Sequence, residues 1–234
     1  ISILIPSMAR WFFNSNPIFL NFFFPPFCPG CERYLGIRAN PRALCRACRD
    51  SLIRACEGRA YLTGAKGVLS AVYSMGPYGS EPLTTLIHKI KYQGKDWAIE
   101  ALVETLSLFV RRVNLGEIFD LIVPVPLHAW RFNSRGFNQA ELIARRLSPI
   151  LGKPVEAGAL RRVRATKAQM SLEGTILRRK NVCGAFAAAE GGCFQNQGIL
   201  LVDDVVTSGS TLQECAKALL EAGAKKVFAF TLAS

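Results

Sequence analysis

The segment that most constrains the fold is a continuous apolar run, GILLVDDV at residues 198–205, which ends on two adjacent aspartates. Strands of a parallel sheet that are buried on both faces have this pattern, because neither row of side chains meets water. A helix from about Ser210 to Ala222, closed by Gly223, is predicted next, and KVFAFTL at 226–232 predicts another strand. Strand, helix and strand in this order indicate an α/β fold, a parallel sheet flanked by helices with right-handed crossovers.

The chain upstream of this unit continues the same alternation. We predict strands at 67–75 and 119–125 and helices over 81–94, over 97–113 and from about Phe137 onwards. A chain of 234 residues, half of them apolar, can bury one large core and carry a small appendage. The predicted organisation is an apolar N-terminal segment at 1–27, a cysteine-rich module at 28–60 and an α/β domain at 61–234.

The first 27 residues are very apolar and aromatic, but they are broken by Pro6, Pro17, Pro25 and Pro26. No uninterrupted run reaches the roughly 20 residues that a membrane-spanning helix requires. We expect residues 18–24 to form a short amphipathic or buried helix, with contact at a membrane surface as the alternative. The expected location is therefore cytoplasmic, with at most peripheral attachment at the inner face of the membrane.

Four of the eight cysteines form two C-x-x-C pairs separated by thirteen residues: Cys28, Cys31, Cys45 and Cys48. Each pair turns tightly enough to direct two thiolates at one ion, and four thiolates complete a tetrahedral zinc site with no open position. The predicted zinc is therefore structural, and its binding supplies much of the folding free energy of so small a module. The alternative is a degenerate pair of turns that has lost its metal. The other cysteines are interpreted as ordinary thiols: Cys56, Cys183, Cys193 and Cys215.

The acidic pair Asp203 and Asp204 stands where ligands bind in open α/β sheets, beyond the carboxyl end of a strand. The loop VVTSGST follows and leads into a helix, so its amides, its hydroxyls and the helix N-terminus favour a phosphate. Carboxylates repel a phosphate, but they accept hydrogen bonds from a vicinal diol or bind a magnesium ion beside it. A diol and a phosphate together describe a ribose 5-phosphate. The structural alternative is an ordinary strand-to-helix turn with one hydroxyl cap.

The net charge of +12 indicates attraction to polyanions, either nucleic acid or phosphorylated ligands. The densest basic stretch lies at 161–180, where the charge belongs either to a solvated surface loop or to a functional one. Trp130 and Phe132 lie beside Arg131 and Arg135, an arrangement in which aromatic rings can stack on single-stranded bases. Packing of these rings in the core or at a hinge is an equally good interpretation.

A hydrophobic strand, Asp-Asp, two spacer residues and then Thr-Ser-Gly-Ser-Thr resemble the phosphoribosyl-pyrophosphate (PRPP) binding signature of type I phosphoribosyltransferases. The four-cysteine module and the stretches VPVPLHAWRFNSRGFNQAELIA, LRRVRATKAQMSL and RRKNVCGAF, in this order, resemble the ComF family. Proteins of that family combine a zinc ribbon with a phosphoribosyltransferase-like domain and are associated with DNA uptake and competence for transformation. The resemblance extends over about residues 18–233.

The resemblance implies a role for each part of the signature. Asp203 and Asp204 would hold the ribose hydroxyls, and Mg²⁺ would accompany the PRPP-type ligand. The 5-phosphate would lie against the loop residues Thr207, Ser208, Gly209, Ser210 and Thr211, with Ser208 where threonine is more usual. The diphosphate loop would be Pro126, Leu127 and His128, with Arg131 and Arg135 near the phosphates. A mobile loop would contain Thr166, Gln169 and Arg178, and His128 is interpreted either as structural or as catalytic.

These residues support three functions. The first is a ligand-binding protein of DNA uptake that keeps a phosphoribosyl site, works with the uptake machinery and contacts single-stranded DNA, as the basic charge favours. The second is an active transferase that moves the phosphoribosyl group of PRPP to an unknown base or amine. Only the N-terminal module and the helices at 76–113 are candidates for the element that selects the acceptor. The third is an interaction module with a vestigial site, which the intact acidic pair and hydroxyl loop argue against.

Overall fold

The computed structural model of the chain covers most of these segments. Its described residues are 21–57, 68–93, 96–127, 132, 135–164, 183–189 and 194–234. The helices are α1 (Arg46–Glu57), α2 (Leu83–Gln93), α3 (Asp96–Glu100), α4 (Val103–Arg112), α5 (Gln139–Leu151) and α6 (Ser210–Glu221), with a 3-10 turn at Leu115–Glu117. The strands are β1 (Ala71–Gly76), β2 (Leu121–Pro124), β3 (Leu160–Arg162), β4 (Phe186–Ala188), β5 (Gly198–Val205) and β6 (Lys226–Ala233).

Four of the described strands form one parallel sheet in the order β1–β6–β5–β2. β5 lies inside this sheet, since Leu200 is paired with Phe228 of β6 on one side and with Ile122 of β2 on the other. Because the strands run in one direction, their carboxyl ends share one edge, and β5 brings Asp203 and Asp204 to it. β3 and β4 form a separate antiparallel pair. The predicted α/β class with a parallel sheet flanked by helices is confirmed.

Both faces of the sheet are covered, which explains why the β5 sequence is apolar up to its aspartates. Leu200 and Val202 are buried in a core that they share with α1 to α5. Ile199 and Leu201, which alternate with them, are buried in a second core with α6, β3 and β4. Truncating Leu201 to alanine is therefore expected to cost about 2–5 kcal/mol of folding stability.

The single helix predicted over 97–113 is divided, because α3 ends at Glu100 and α4 begins at Val103. At the division the Leu102 N–H donates to Ile99 O at 2.9 Å, three residues back, which closes a tighter turn than that of an α-helix. Both of these side chains are buried in the core beneath the helices. Tertiary packing of apolar residues therefore interrupts a segment whose local pattern is helical throughout.

The helix predicted from about Phe137 begins two residues later, at Gln139. The Asn138 side chain accepts from the Ala140 N–H at 3.1 Å and caps the helix, while its amide donates to Val125 O at 3.0 Å. Asn138 thus provides an acceptor for a free N–H group in the first turn of α5 and attaches the helix to the end of β2.

Residues 21–23 are helical, within the 18–24 segment predicted as a short helix, and residues 18–20 lie outside the described part. The Asn21 side-chain amide donates to Ile37 O at 2.8 Å and to Ala39 O at 3.0 Å, which attaches the segment to the cysteine-rich module. The predicted boundary of that module at 60/61 also lies outside the described residues. None of the helices in the described residues is long and apolar enough to cross a bilayer.

Candidate functional site

The sulfur atoms of Cys28, Cys31, Cys45 and Cys48 come together in the cysteine-rich module. All four Sγ atoms lie within 4.8 Å of one another, and those of Cys31 and Cys45 are 3.7 Å apart. In a tetrahedron with the usual Zn–S distance of about 2.3 Å, the sulfurs would be about 3.8 Å apart. The cluster therefore has the dimensions of a four-cysteine zinc site, consistent with the predicted zinc ribbon.

Backbone N–H groups prepare this cluster for negative charge. The Cys45 N–H donates to Cys28 Sγ at 3.3 Å, and the Cys48 N–H donates to Cys45 Sγ at 3.5 Å. Burial raises the pKa of Cys28, but the N–H groups of Cys45, Cys31 and Gly30 outweigh it and lower this pKa to about 7. Burial, the neighbouring thiols and the Cys28 charge raise the pKa of Cys48. Four thiolates this close require a cation, and Zn²⁺ suits a sulfur donor set.

Helix α2 holds the first cysteine turn against the α/β domain. The Lys89 ammonium donates to Pro29 O within that turn at 3.0 Å and to Glu32 Oε1 at 2.9 Å. Gly30 packs so closely on Pro82, just before α2, that a Cβ on Gly30 would lie 2.7 Å from the Pro82 Cβ. The turn therefore requires glycine at this position, and the cluster and α2 form one packed unit.

The two aspartates of β5 point to different faces of the sheet, as successive residues of a strand do. Asp204 lies on the face covered by α2, where its Oδ2 atom is 3.4 Å from Lys91 Nζ. Asp203 lies towards α6, where burial and the Asp203 charge raise the pKa of the Cys215 thiol. The Asp203 Oδ1 atom also accepts from the Asp204 N–H at 2.8 Å. The strand end thus presents one carboxylate on each side.

The hydroxyl loop, residues 207–211, connects β5 to the first turn of α6. Gly209 precedes the helix with φ +70° and ψ −1°, a left-handed conformation that glycine adopts without strain. Ser208 Oγ and Ser210 Oγ are 3.0 Å apart. The first turn of α6 contains no acidic residue, and Gly209 provides no side-chain cap. The positive end of the helix dipole therefore lies among hydroxyl groups, a favourable place for a phosphate.

The loop after β2 lies beside the acidic pair. The Val125 N–H donates to Val202 O at 2.9 Å, and the half-buried Pro126 and Leu127 follow. Further along the segment between β2 and α5, the guanidinium carbon of Arg135 is 5.1 Å from the centre of the Tyr92 ring. Other residues that the sequence singled out lie outside the described part of the chain: His128, Trp130, Arg131, Thr166, Gln169 and Arg178.

Sequence reasoning missed Lys91, which contacts the acidic pair, and Tyr92, the next residue, which packs on Arg135 beside the site. The spacing of Leu83, Leu86 and Ile90 predicted which face of α2 is buried, and it gave the remaining positions no role. A lysine and a tyrosine in the last turn of a helix look like ordinary solvated residues. Their contacts with Asp204 and Arg135 arise only when the sheet and α2 meet.

Comparison with known proteins agrees with this architecture. The family model described as phosphoribosyl transferase domain matches residues 98–234. Competence protein F of Haemophilus influenzae is 37% identical over 157 residues, which cover 65% of this chain and 68% of that protein. DNA utilization protein YhgH of Escherichia coli K12 is 39% identical over 149 residues, 62% of this chain and 64% of that protein. Competence protein ComFC of Bacillus subtilis is 30% identical over 207 residues, 88% of this chain and 76% of that protein.

The chain belongs to the ComF family. The matches span about two thirds of the length of Competence protein F and YhgH. In this ComF protein the matched phosphoribosyl transferase domain contains β2, β5, β6 and the hydroxyl loop, whereas β1 and α2 precede it. The structure adds these two elements to the same unit, since β1 pairs with β6 and Lys91 of α2 contacts Asp204.

Proposed function

We propose that this ComF protein binds a phosphoribosyl ligand of the PRPP type, with Mg²⁺, and acts in DNA uptake in contact with single-stranded DNA. The observation that supports this ligand is that Asp203 and Asp204 lie next to the hydroxyl loop and the N-terminus of α6. Carboxylates accept hydrogen bonds from a diol, and a helix N-terminus attracts a phosphate. A ribose 5-phosphate group satisfies both.

In this proposal each part of the edge has one task. Asp204, held by Lys91, accepts from the ribose hydroxyls on the α2 side, and Asp203 accepts from the side of α6. Pro126, Leu127 and His128, together with Arg135, face the diphosphate, whose charge Mg²⁺ neutralises when bound. The 5-phosphate binds the hydroxyls and amides of Thr207, Ser208, Gly209, Ser210 and Thr211.

Zinc has a structural role in the same proposal. Cys28, Cys31, Cys45 and Cys48 hold it with no ligand position left for a substrate, so the metal stabilises the module and takes no part in chemistry.

The DNA part of the proposal is supported by charge and by the names of the relatives. Two relatives are named competence proteins and a third a DNA utilization protein. A net charge of +12 attracts a polyanion without regard to sequence. Phe132, which is 47% exposed, offers a ring on which a base can stack. The proposal places the protein in the cytoplasm, with the DNA-uptake machinery as its partner.

A thermal-shift titration tests the ligand site. PRPP with MgCl₂ should raise the Tm, because a ligand that binds the native state stabilises it by mass action. Asp204→Asn should reduce the shift, since the amide keeps the size of the side chain but loses the charge that orients the diol. Asp50→Asn, on α1 in the cysteine-rich module, is the matched control and should keep the full shift. No shift at millimolar PRPP would contradict the site.

A salt titration tests the DNA contact separately. The affinity for a single-stranded oligonucleotide should fall steeply as salt rises, since lysine and arginine contacts release counterions from the phosphates. No binding at low salt would remove the DNA part of the proposal and leave the phosphoribosyl site standing.

An active phosphoribosyltransferase is the second candidate, and the position of α2 favours it. A transferase needs an element beside the ribose that selects the acceptor, and α2 reaches Asp204 through Lys91. The reaction would break the bond from C1 to the diphosphate and form a bond from C1 to a base or an amine. Diphosphate release from PRPP above the background without acceptor, measured with a panel of bases and amines, would support it.

A further inference from the structure

We propose that Tyr92, with Arg135 and His88 around it, forms a stacking surface for a nucleobase at the opening of the phosphoribosyl site. This inference rests on the proposed function, because it names the group attached to, or lying beside, the bound ribose phosphate.

The three side chains form one aromatic and cationic cluster, in which His88 and Tyr92 are exposed and Arg135 is half-buried. The Tyr92 ring is 63% exposed. The Arg135 guanidinium carbon lies 5.1 Å from its centre, and the His88 ring, one helical turn back on α2, lies 5.6 Å from it at an angle of 43°. The Tyr78 hydroxyl lies 3.5 Å from Nε2 of His88. The Tyr92 ring is thus supported by its neighbours while most of it faces solvent.

The position of the cluster follows from the contacts at its two ends. Tyr92 comes directly after Lys91, whose ammonium lies 3.4 Å from Asp204 at the end of β5. Arg135 belongs to the segment between β2 and α5, and β2 is the neighbour of β5 in the sheet. The contact between Tyr92 and Arg135 therefore joins α2 to the segment between β2 and α5, beside the strand end that carries the acidic pair.

The chemistry of the cluster selects a flat, electron-rich ligand. A tyrosine ring and a guanidinium are both planar, and both stack on bases without requiring a particular sequence. Arg135, which packs on the Tyr92 ring, also supplies a positive charge close to where the phosphate of a nucleotide would lie. A nucleotide combines a flat base with a ribose phosphate. Its base therefore fits this surface while its ribose phosphate fits the adjacent edge.

Two sources can supply such a base, a free nucleotide and a single strand of DNA. A nucleoside 5′-monophosphate would place its ribose phosphate at the strand end and its base on Tyr92. A DNA strand would place one of its bases on the ring and its phosphates near Arg135. Both sources would place a base on the Tyr92 ring, so a competition experiment between a nucleotide and a DNA strand distinguishes them.

The test compares ligands with and without a base, by calorimetry or by fluorescence titration. AMP and UMP should bind the full-length protein about tenfold more tightly than ribose 5-phosphate, in line with one stacked base. Tyr92→Ala should remove that difference and leave the affinity for ribose 5-phosphate within about twofold, whereas Tyr92→Phe should retain it. Tyr34→Ala removes another exposed tyrosine, from the cysteine-rich module, and should change neither affinity.

A thymidine decamer forms the second arm. If it displaces AMP and Tyr92→Ala weakens its binding, the base belongs to a DNA strand; if only the nucleotides respond, it belongs to a free nucleotide. Unchanged affinities of Tyr92→Ala for nucleotides and for the decamer, while ribose 5-phosphate still binds, would overturn the inference and leave the proposed function intact. If ribose 5-phosphate and PRPP bind neither the wild type nor Tyr92→Ala, the proposed function fails. If the decamer then also binds both proteins with equal affinity, the stacking surface is overturned as well.

Discussion

The cysteine cluster and the carboxyl edge of the sheet are two sites built in opposite ways. The cysteines lie within 21 residues of sequence, and two local turns bring their sulfurs within 4.8 Å. The edge is assembled from β5, α6, α2 and the loop after β2, which are far apart in the chain. A module of local turns has little apolar core of its own, so a metal held by the four sulfurs would stabilise it. The edge is supported by the two cores that cover β5.

One helix nevertheless supports both sites. Lys89 of α2 bonds to the first cysteine turn, and Lys91, two residues on, contacts Asp204. Because residues two positions apart lie about 200° apart around a helix, Lys89 reaches the cysteine-rich module and Lys91 reaches the carboxyl edge. Substitutions on or near α2 can therefore disturb one site and spare the other.

The largest effect is expected for Cys48→Ala, which removes a buried sulfur from the cluster. Structural zinc contributes about 10–16 kcal/mol to the folding of such modules, and three thiolates leave the tetrahedron open. The variant should lose stoichiometric zinc and hydrogen-exchange protection in the module, whereas the Tm shift with PRPP should persist. Metal analysis and exchange mass spectrometry measure both. Cys183→Ala, an exposed cysteine outside the cluster, is the control; equal zinc loss in both variants would contradict the four-cysteine site.

Gly209→Ala should affect the edge by conformation alone. A Cβ there would meet nothing closer than Val206 at 3.9 Å, so the cost is that of a left-handed alanine, about 1–2 kcal/mol. Gly152→Ala carries the same cost at φ +64° in open space, far from the hydroxyl loop in sequence. Both variants should lose similar stability in urea unfolding, and only Gly209→Ala should weaken PRPP binding. Equal PRPP affinity in the two variants would mean that the loop backbone does not approach the phosphate.

Lys91→Met should show whether the Asp204 carboxylate binds a metal ion as well as a diol. The ammonium 3.4 Å from Asp204 repels a divalent cation, so its removal should strengthen the binding of Mn²⁺, a stand-in for Mg²⁺, about fivefold. Paramagnetic resonance measures the bound Mn²⁺ in the absence of PRPP. Lys89→Met on the same helix, whose partner is Glu32, should leave Mn²⁺ binding unchanged. The same gain in both variants would show that general charge, and not Asp204, is responsible.

The smallest effect is expected for Glu32→Gln, and it should depend on pH. The hydrogen bond from Lys89, and then its charge, lower the pKa of Glu32 from its ordinary value of 4.5. A carboxyl with a lowered pKa stabilises the folded state above its ordinary pKa and loses this contribution as the pH falls through the folded value. The Tm of the variant should therefore be slightly lower than wild type at pH 7, and this difference should narrow as the pH falls below 4.5. A Tm difference that grows in acid would contradict the ion pair.

Sequence patterns predicted the parts of this protein that depend on neighbouring residues. β5 and α6 occupy the residues that the apolar run and the helical spacing indicated, to within one residue. The two C-x-x-C pairs predicted which sulfurs meet, because each turn is a local structure. The division between α3 and α4 was not predictable in this way, since the local pattern is helical and the burial of Ile99 and Leu102 decides it.

The sequence by itself determined a buried parallel strand, an acidic pair, a hydroxyl loop before a helix, and four cysteines at metal-binding spacing. These follow from burial, from turn geometry and from the order of residues along the chain. Only the tertiary structure decided that Lys91 contacts Asp204 and that Arg135 packs on Tyr92. These contacts join residues more than forty positions apart, and they form only because the two cores bring α2 and the loop after β2 to the same edge.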